Sequence, residues 1–79
     1  MSENNNSTET LGMSRVGISF NPSGDERVIS IKQKAASLID EIKVYSDVTD
    51  NDEAKRVFAL AMTDVENAAM WAVKGITKK

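Results

Sequence analysis

The sequence contains no cysteine and no histidine among its 79 residues. Their absence removes disulfide staples, thiolate metal sites, the thiol nucleophile and the side chain that most often acts as a general base near neutral pH. An enzyme built from this chain would have to work with carboxylates, lysines and Tyr45, in a length that encloses little of a pocket. Long apolar runs are missing as well. None approaches the roughly 20 residues that span a bilayer, and the polar N-terminus has no signal-peptide core. A soluble intracellular chain is expected. Lys plus Arg number 10 against 12 Asp plus Glu, for a formal charge of −2. That balance argues against a protein that coats duplex nucleic acid. The length allows one domain.

What is present is helical patterning. Residues 1–14, with Ser-Glu-Asn-Asn-Asn-Ser-Thr-Glu-Thr near their start, hold little to bury and read as a flexible polar leader. The folded domain is expected over 15–79. Residues 15–20 alternate weakly, with Val16, Ile18 and Phe20 on one side, as a short extended arm would. Asn21-Pro22-Ser23-Gly24 carries turn chemistry. Ser23 stands three residues before Glu26, the spacing of a capping box, and Asp25 and Glu26 bring the negative charge that a helix start favours.

Val28, Ile31, Ala35, Leu38, Ile42 and Tyr45 then follow a 3-4-3-4-3 spacing, the seam of a helix packing lengthwise on another. The stretch Ser46-Asp-Val-Thr-Asp-Asn51 interrupts it, and Asp50 precedes Glu53 by three. A second helix follows with the seam Phe58, Met62, Val65, Ala69, Ala72 or Val73, and Ile76, and an i,i+4 pair between Asp52 and Arg56. The expected fold class is all-α: an antiparallel two-helix hairpin, with helices at about 25–45 and 52–74.

One seam, half of it alanine on one side, buries too little to hold such a hairpin alone. Each helix also carries a second apolar stripe, Ile29, Ala36 and Ile39 on the first, and Val57, Ala61, Ala68 and Trp71 on the second. Left wet, two such stripes are a liability, so a compact homo-oligomer is expected. A different partner protein is the alternative cover. Each stripe is broken once by a charge, Lys32 on the first helix and Asp64 on the second. Either the two pair or are solvated, or Lys32 meets a small anion at a subunit boundary. Arg56, Thr63, Asn67 and Lys74 fall on one face at 7-4-7 spacing, which suits plain solvent exposure or phosphate binding. Trp71 and Phe58 read as core or interface. Phe20, in a loop with no helix of its own to bury it, could stack on a base.

The stretch Phe20-Asn-Pro-Ser-Gly-Asp25, then Ile31-Lys32, then Ala59-Leu-Ala-Met-Thr-Asp-Val-Glu-Asn-Ala-Ala-Met-Trp-Ala-Val-Lys74, resembles small phage proteins with an anti-CBASS sponge domain. CBASS is a bacterial defence in which an infected cell makes cyclic oligonucleotides that switch on a killing effector. The resemblance covers roughly residues 20–74. It implies a helical hairpin assembled into a homohexamer that binds cyclic di- and trinucleotides without cleaving them, in the cytoplasm of the infected bacterial host. Residue by residue, it implies that Lys32 binds phosphate and that Phe20, beside Asn21 and Pro22, replaces a base-stacking aromatic that is tyrosine in better-known members. Thr63 aligns with a threonine lining a separate trinucleotide pocket and Arg56 with a basic position upstream. The basic residue nearest that threonine in relatives is replaced by Met62 or Ala59.

The functional expectation is therefore a binding protein and not an enzyme. It needs no cofactor and no metal, and has cyclic dinucleotides, cyclic trinucleotides and copies of itself as partners, without nucleic-acid polymers or membranes. The alternative is a structural or regulatory helical module that docks onto another protein and has no nucleotide ligand. A metal-dependent phosphodiesterase using Asp40, Glu41 or Asp64 is a distant third, because those carboxylates fall on separated faces.

Overall fold

The computed structural model describes residues 8–78. They form three helices: α1 (Leu11–Val16), α2 (Glu26–Val48) and α3 (Asp52–Thr77). Regular structure among the described residues is entirely helical. A three-residue connection folds α3 back along α2. Tyr45 and Phe58 meet near the turn with ring centroids 6.4 Å apart, while Lys32 and Val73 border a common cavity towards the open end. This is the expected antiparallel hairpin, with both helices running three residues further at their C-termini than their patterns suggested.

The helix starts lie close to where they were expected, but different residues cap them. The N-cap of α2 is Asp25, whose carboxylate accepts the Arg27 amide at 2.8 Å. Ser23 instead accepts the Asp25 amide at 3.1 Å, two residues too early to cap. The N-cap of α3 is Asn51 rather than Asp50, with its side-chain oxygen 2.8 Å from the Ala54 amide. A short carboxylate or carboxamide one or two residues nearer the helix reaches the free N–H groups more directly. Arg56 likewise pairs with Glu53 at 2.5 Å and not with Asp52. At the end of α2, which has no basic residue in its last turn, Lys55 of α3 donates to the Ser46 carbonyl at 2.8 Å and ties the turn.

The main departure is α1. Leu11 to Ser14 lie in a helix, inside the span read as a leader, and the expected extended arm over 15–20 is the end of that helix and a turn. Thr10 caps the start by accepting the Met13 amide at 3.1 Å. Gly17 ends it with φ 64°, its N–H and that of Ile18 closing on the Ser14 and Met13 carbonyls. That is a Schellman closure, and the left-handed residue it needs is the glycine. The flexibility assigned to residues 1–7 falls outside the described residues.

Docking of α1 changes which stripe of α2 is buried. Gly12 lies against the Ala36 backbone, and its amide donates to Asp40 Oδ1 at 2.7 Å. Val28, Lys32, Ala36 and Ile39 are buried, whereas Leu38 of the expected seam is 46 % exposed. Of the stripe Ile29, Ala36 and Ile39, assigned to contact between copies, Ala36 and Ile39 are thus covered within the chain, while Ile29 stays exposed. On α3 the seam is as read, with Met62 and Ala69 buried and Phe58, Val65 and Val73 half-buried.

The Cα envelope measures 44 × 37 × 12 Å. The envelope is flat, its thinnest dimension less than a third of its longest. Val57, Leu60 and Trp71, the last 64 % exposed, remain open to solvent on α3.

One titration checks the α2 end of this arrangement. Tyr45, the only tyrosine, donates to Glu41 at 2.6 Å, and that hydrogen bond holds its hydroxyl above the usual value of 10.0. A raised folded-state value means that the bond contributes stability below pH 10 and loses it as pH rises through the folded value. Ultraviolet absorbance should show Tyr45 ionising above 10.0, and the Glu41→Gln protein should ionise at lower pH than the parent. Identical curves would contradict the contact.

Candidate functional site

The loop between α1 and α2 is built on Lys32. Its stem rises from the buried face of α2, leaving the residue only 7 % exposed. The ammonium donates to the Gly17 carbonyl at 2.9 Å and to the Phe20 carbonyl. Those carbonyls bound a turn closed by the Phe20 amide on Gly17 O at 2.9 Å. A lysine ammonium has three N–H groups; two are committed here and the third remains. Backbone carbonyls carry no formal charge, so the cation is hydrogen-bonded but not neutralised. The expected alternative, an ion pair between Lys32 and Asp64, is not formed, and Asp64 is exposed.

Phe20 is 71 % exposed and its ring centroid lies 5.5 Å from Lys32 Nζ, within cation–π range. The turn that follows is braced internally. Asn21 Oδ1 accepts from the Ser23 hydroxyl at 2.7 Å, and Asn21 Nδ2 donates to the Asp25 carbonyl at 3.2 Å. Phe20, Asn21, Pro22 and Lys32, all four expected at the dinucleotide site, line one cavity of about 260 Å³ with Ser23, Val28, Val73 and Thr77. The aromatic face and the cation point to a flat, anionic ligand. The Asn21 carboxamide, committed at both ends, reads as a brace for the loop.

The residues expected at the second site do not come together in the same way. Arg56 is held by Glu53 through a paired contact that keeps its guanidinium above its usual value. Thr63 lies two turns further along α3, about 10 Å of helix rise away, and its hydroxyl accepts from Arg15 Nη2 at 3.3 Å. Arg15 reaches it from α1, and its Nε also donates to Glu66 Oε1 at 2.9 Å. Neither Arg15 nor Glu66 was picked out from the sequence. The signals available were Thr10 and Gly17 as cap residues bracketing a six-residue helix, and the i,i+3 spacing of Thr63 and Glu66 on one face of α3.

A second cavity, of about 340 Å³, adjoins the first at Lys32 and Val73 and is also lined by Arg15, Glu66, Asn67 and Lys74. The carboxylates of the phosphodiesterase reading are dispersed. Asp40 accepts the Gly12 amide and Glu41 the Tyr45 hydroxyl. Among the described residues, no three histidine, cysteine, aspartate or glutamate side chains are grouped so as to hold a metal ion. Nor is any described helix long and apolar enough to cross a membrane.

No curated protein and no solved structure gives a significant match to the chain. A family model described as the Acb2/Tad1 hairpin domain matches residues 13–77. That span runs from within α1 to the last residue of α3 and includes the loop built on Lys32. The chain therefore belongs to the Acb2/Tad1 hairpin family, the anti-CBASS sponges that bind cyclic nucleotides.

Proposed function

We propose that this chain binds cyclic dinucleotides in crevices completed by neighbouring copies of itself and holds them uncleaved, so that the CBASS effector loses its signal. The observation that carries this reading is Lys32, a buried cation with one N–H to spare, beneath an exposed aromatic at the edge of a cavity. Phosphate takes the free N–H, and Phe20 offers its open face to a base. A cyclic dinucleotide has two phosphates and two bases, which two symmetry-related sites of this kind would suit.

The flat shape and the bare apolar residues on α3 support self-association, and the resemblance to hexameric sponges supports six copies. Thr63 and Arg56 are proposed for a second ligand class, cyclic trinucleotides, with Thr63 already held by Arg15. Sequestration without cleavage draws support from the lack of histidine and cysteine and from the separate engagement of the carboxylates. The proposed place of action is the cytoplasm of the infected bacterial host.

Calorimetric titration with a panel of cyclic di- and trinucleotides tests the reading. At least one cyclic dinucleotide should bind at micromolar concentration or below. A folded protein that gives no heat with any of them would instead fit a helical module that docks onto another protein.

A further inference from the structure

Arg15 reaches from α1 to the polar face of α3 and is only partly engaged there. The docking of α1, through Gly12 on Ala36 and Asp40, fixes where its side chain starts. Its Nε donates to Glu66 Oε1 at 2.9 Å and its Nη2 to the Thr63 hydroxyl at 3.3 Å. Nη2 also lies 2.8 Å from the same Glu66 oxygen, so the carboxylate occupies one edge of the guanidinium. The N–H groups of Nη1, away from that edge, meet no acceptor among the described residues. Thr63 is left in a matching state. Its oxygen accepts from Arg15, which frees its own O–H to donate, and no described residue takes that proton. Thr63 is exposed and Arg15 half-buried, so both open ends face the solvent side of α3.

What the pair offers outward is therefore donors alone, beside a fixed positive charge. Phosphate oxygens are acceptors alone, and a guanidinium is the side chain best matched to them. The dinucleotide site has no use for this cation, because two symmetry-related Lys32 sites take both phosphates of that ring. Near Thr63, by contrast, a cation is wanting. Relatives carry a basic residue beside this threonine where the chain has Met62 or Ala59, and Arg56 lies about 10 Å of helix rise away, paired with Glu53.

We infer that Arg15, supplied by α1, is the principal phosphate-binding cation of the Thr63 site. The inference rests on the proposed trinucleotide site and deepens it by naming the residue that gives that site its charge. A cyclic trinucleotide carries three phosphates, and each copy lining the ring brings one Arg15 and Thr63 pair to one of them.

The test is calorimetric titration of the full chain and its variants with cyclic tri-AMP and cyclic AMP–AMP–GMP, with cyclic di-GMP, cyclic di-AMP and cyclic GMP–AMP run alongside. Arg15→Gln should weaken trinucleotide binding about tenfold or more, as expected for losing hydrogen bonds to a charged group, and leave dinucleotide affinity unchanged. Arg56→Gln, at an exposed residue already paired, should cost about threefold at most. Arg15→Gln binding trinucleotides as the parent does overturns the inference while the trinucleotide site stands, and so does a larger loss from Arg56→Gln. Equal loss of both ligand classes with Arg15→Gln would make Arg15 a brace for α1 and also refute it. A parent that binds dinucleotides but neither trinucleotide overturns the site and the inference together and leaves the dinucleotide reading in place. Should Arg15→Gln fail to fold by circular dichroism, Arg15→Lys decides instead, because it keeps the charge and gives up the guanidinium fork. Weaker trinucleotide binding at unchanged dinucleotide affinity then supports the inference, and any other result overturns it.

Discussion

Phe20→Ala is expected to weaken cyclic-dinucleotide binding about tenfold or more, the typical loss when a stacked base is deprived of its aromatic partner, while leaving thermal stability nearly unchanged. The ring is 71 % exposed, so little packing is lost with it. Lys32→Met should abolish binding at the same concentrations and should also destabilise the fold. Its ammonium holds the Gly17 and Phe20 carbonyls, and methionine keeps the buried stem but leaves both acceptors without that donor. Gly17 O keeps the Phe20 amide, so the loss falls mainly on the Phe20 carbonyl, at about 1–3 kcal/mol for a carbonyl left without a donor. The contrast between the two variants matters more than either alone. A protein-docking module would tolerate Phe20→Ala without losing any ligand, and Lys32→Met would register only as a lower melting temperature. The ligand reading requires that both lose affinity and only one loses stability. Titration and melting curves on the same preparations check it; Phe20→Ala binding as tightly as the parent would place the ligand elsewhere.

The second large effect is expected at Gly12. A Cβ there would lie 2.8 and 2.9 Å from the Ala36 carbonyl carbon and Cα, and closer still to its oxygen. All three are backbone atoms of α2, so no side chain can swing aside. Gly12→Ala must therefore shift or release α1. Overfilling a packed site typically costs about 1–3 kcal/mol, and release would also break the hydrogen bond from the Gly12 amide to Asp40. For a chain of this size, the melting temperature should fall by about 4–8 °C for each kcal/mol lost. Releasing α1 also disturbs its closing residue Gly17, whose carbonyl accepts from Lys32, so ligand affinity should fall although no residue of the Phe20 cavity has changed. A melting curve superimposing on the parent's would show that α1 is not docked in this way.

The two long helices were legible because their signals are local: alternating 3-4 spacing, a proline–glycine turn before one and a polar break before the other. Even there, the caps fell on Asp25 and Asn51 and not on the residues matching a spacing rule. A side chain's reach depends on backbone direction at the helix start as well as on its position in a motif. The short helix α1 escaped notice because its six residues include a glycine, which periodicity treats as a weakness. That glycine is there for close approach to Ala36, a tertiary reason with no local trace. Missing α1 carried a second error with it, because Ala36 and Ile39, two of the three stripe residues, then looked uncovered. Lys32 was visible as a charge set in an apolar stripe. Its partners were not visible, since they are carbonyl groups, which every residue possesses. Arg15 and Glu66 were hidden for a related reason: they are 51 positions apart, and only the packing of α1 on the hairpin joins them.

The most direct test of the account mixes the parent protein with the cyclic dinucleotide it binds best, isolates the complex by gel filtration, and releases the ligand by heat for mass spectrometry. Sequestration predicts that the ring elutes with protein larger than a single chain and is recovered intact in stoichiometric amount. Linear product, or ring recovered only in the free fraction, would contradict it.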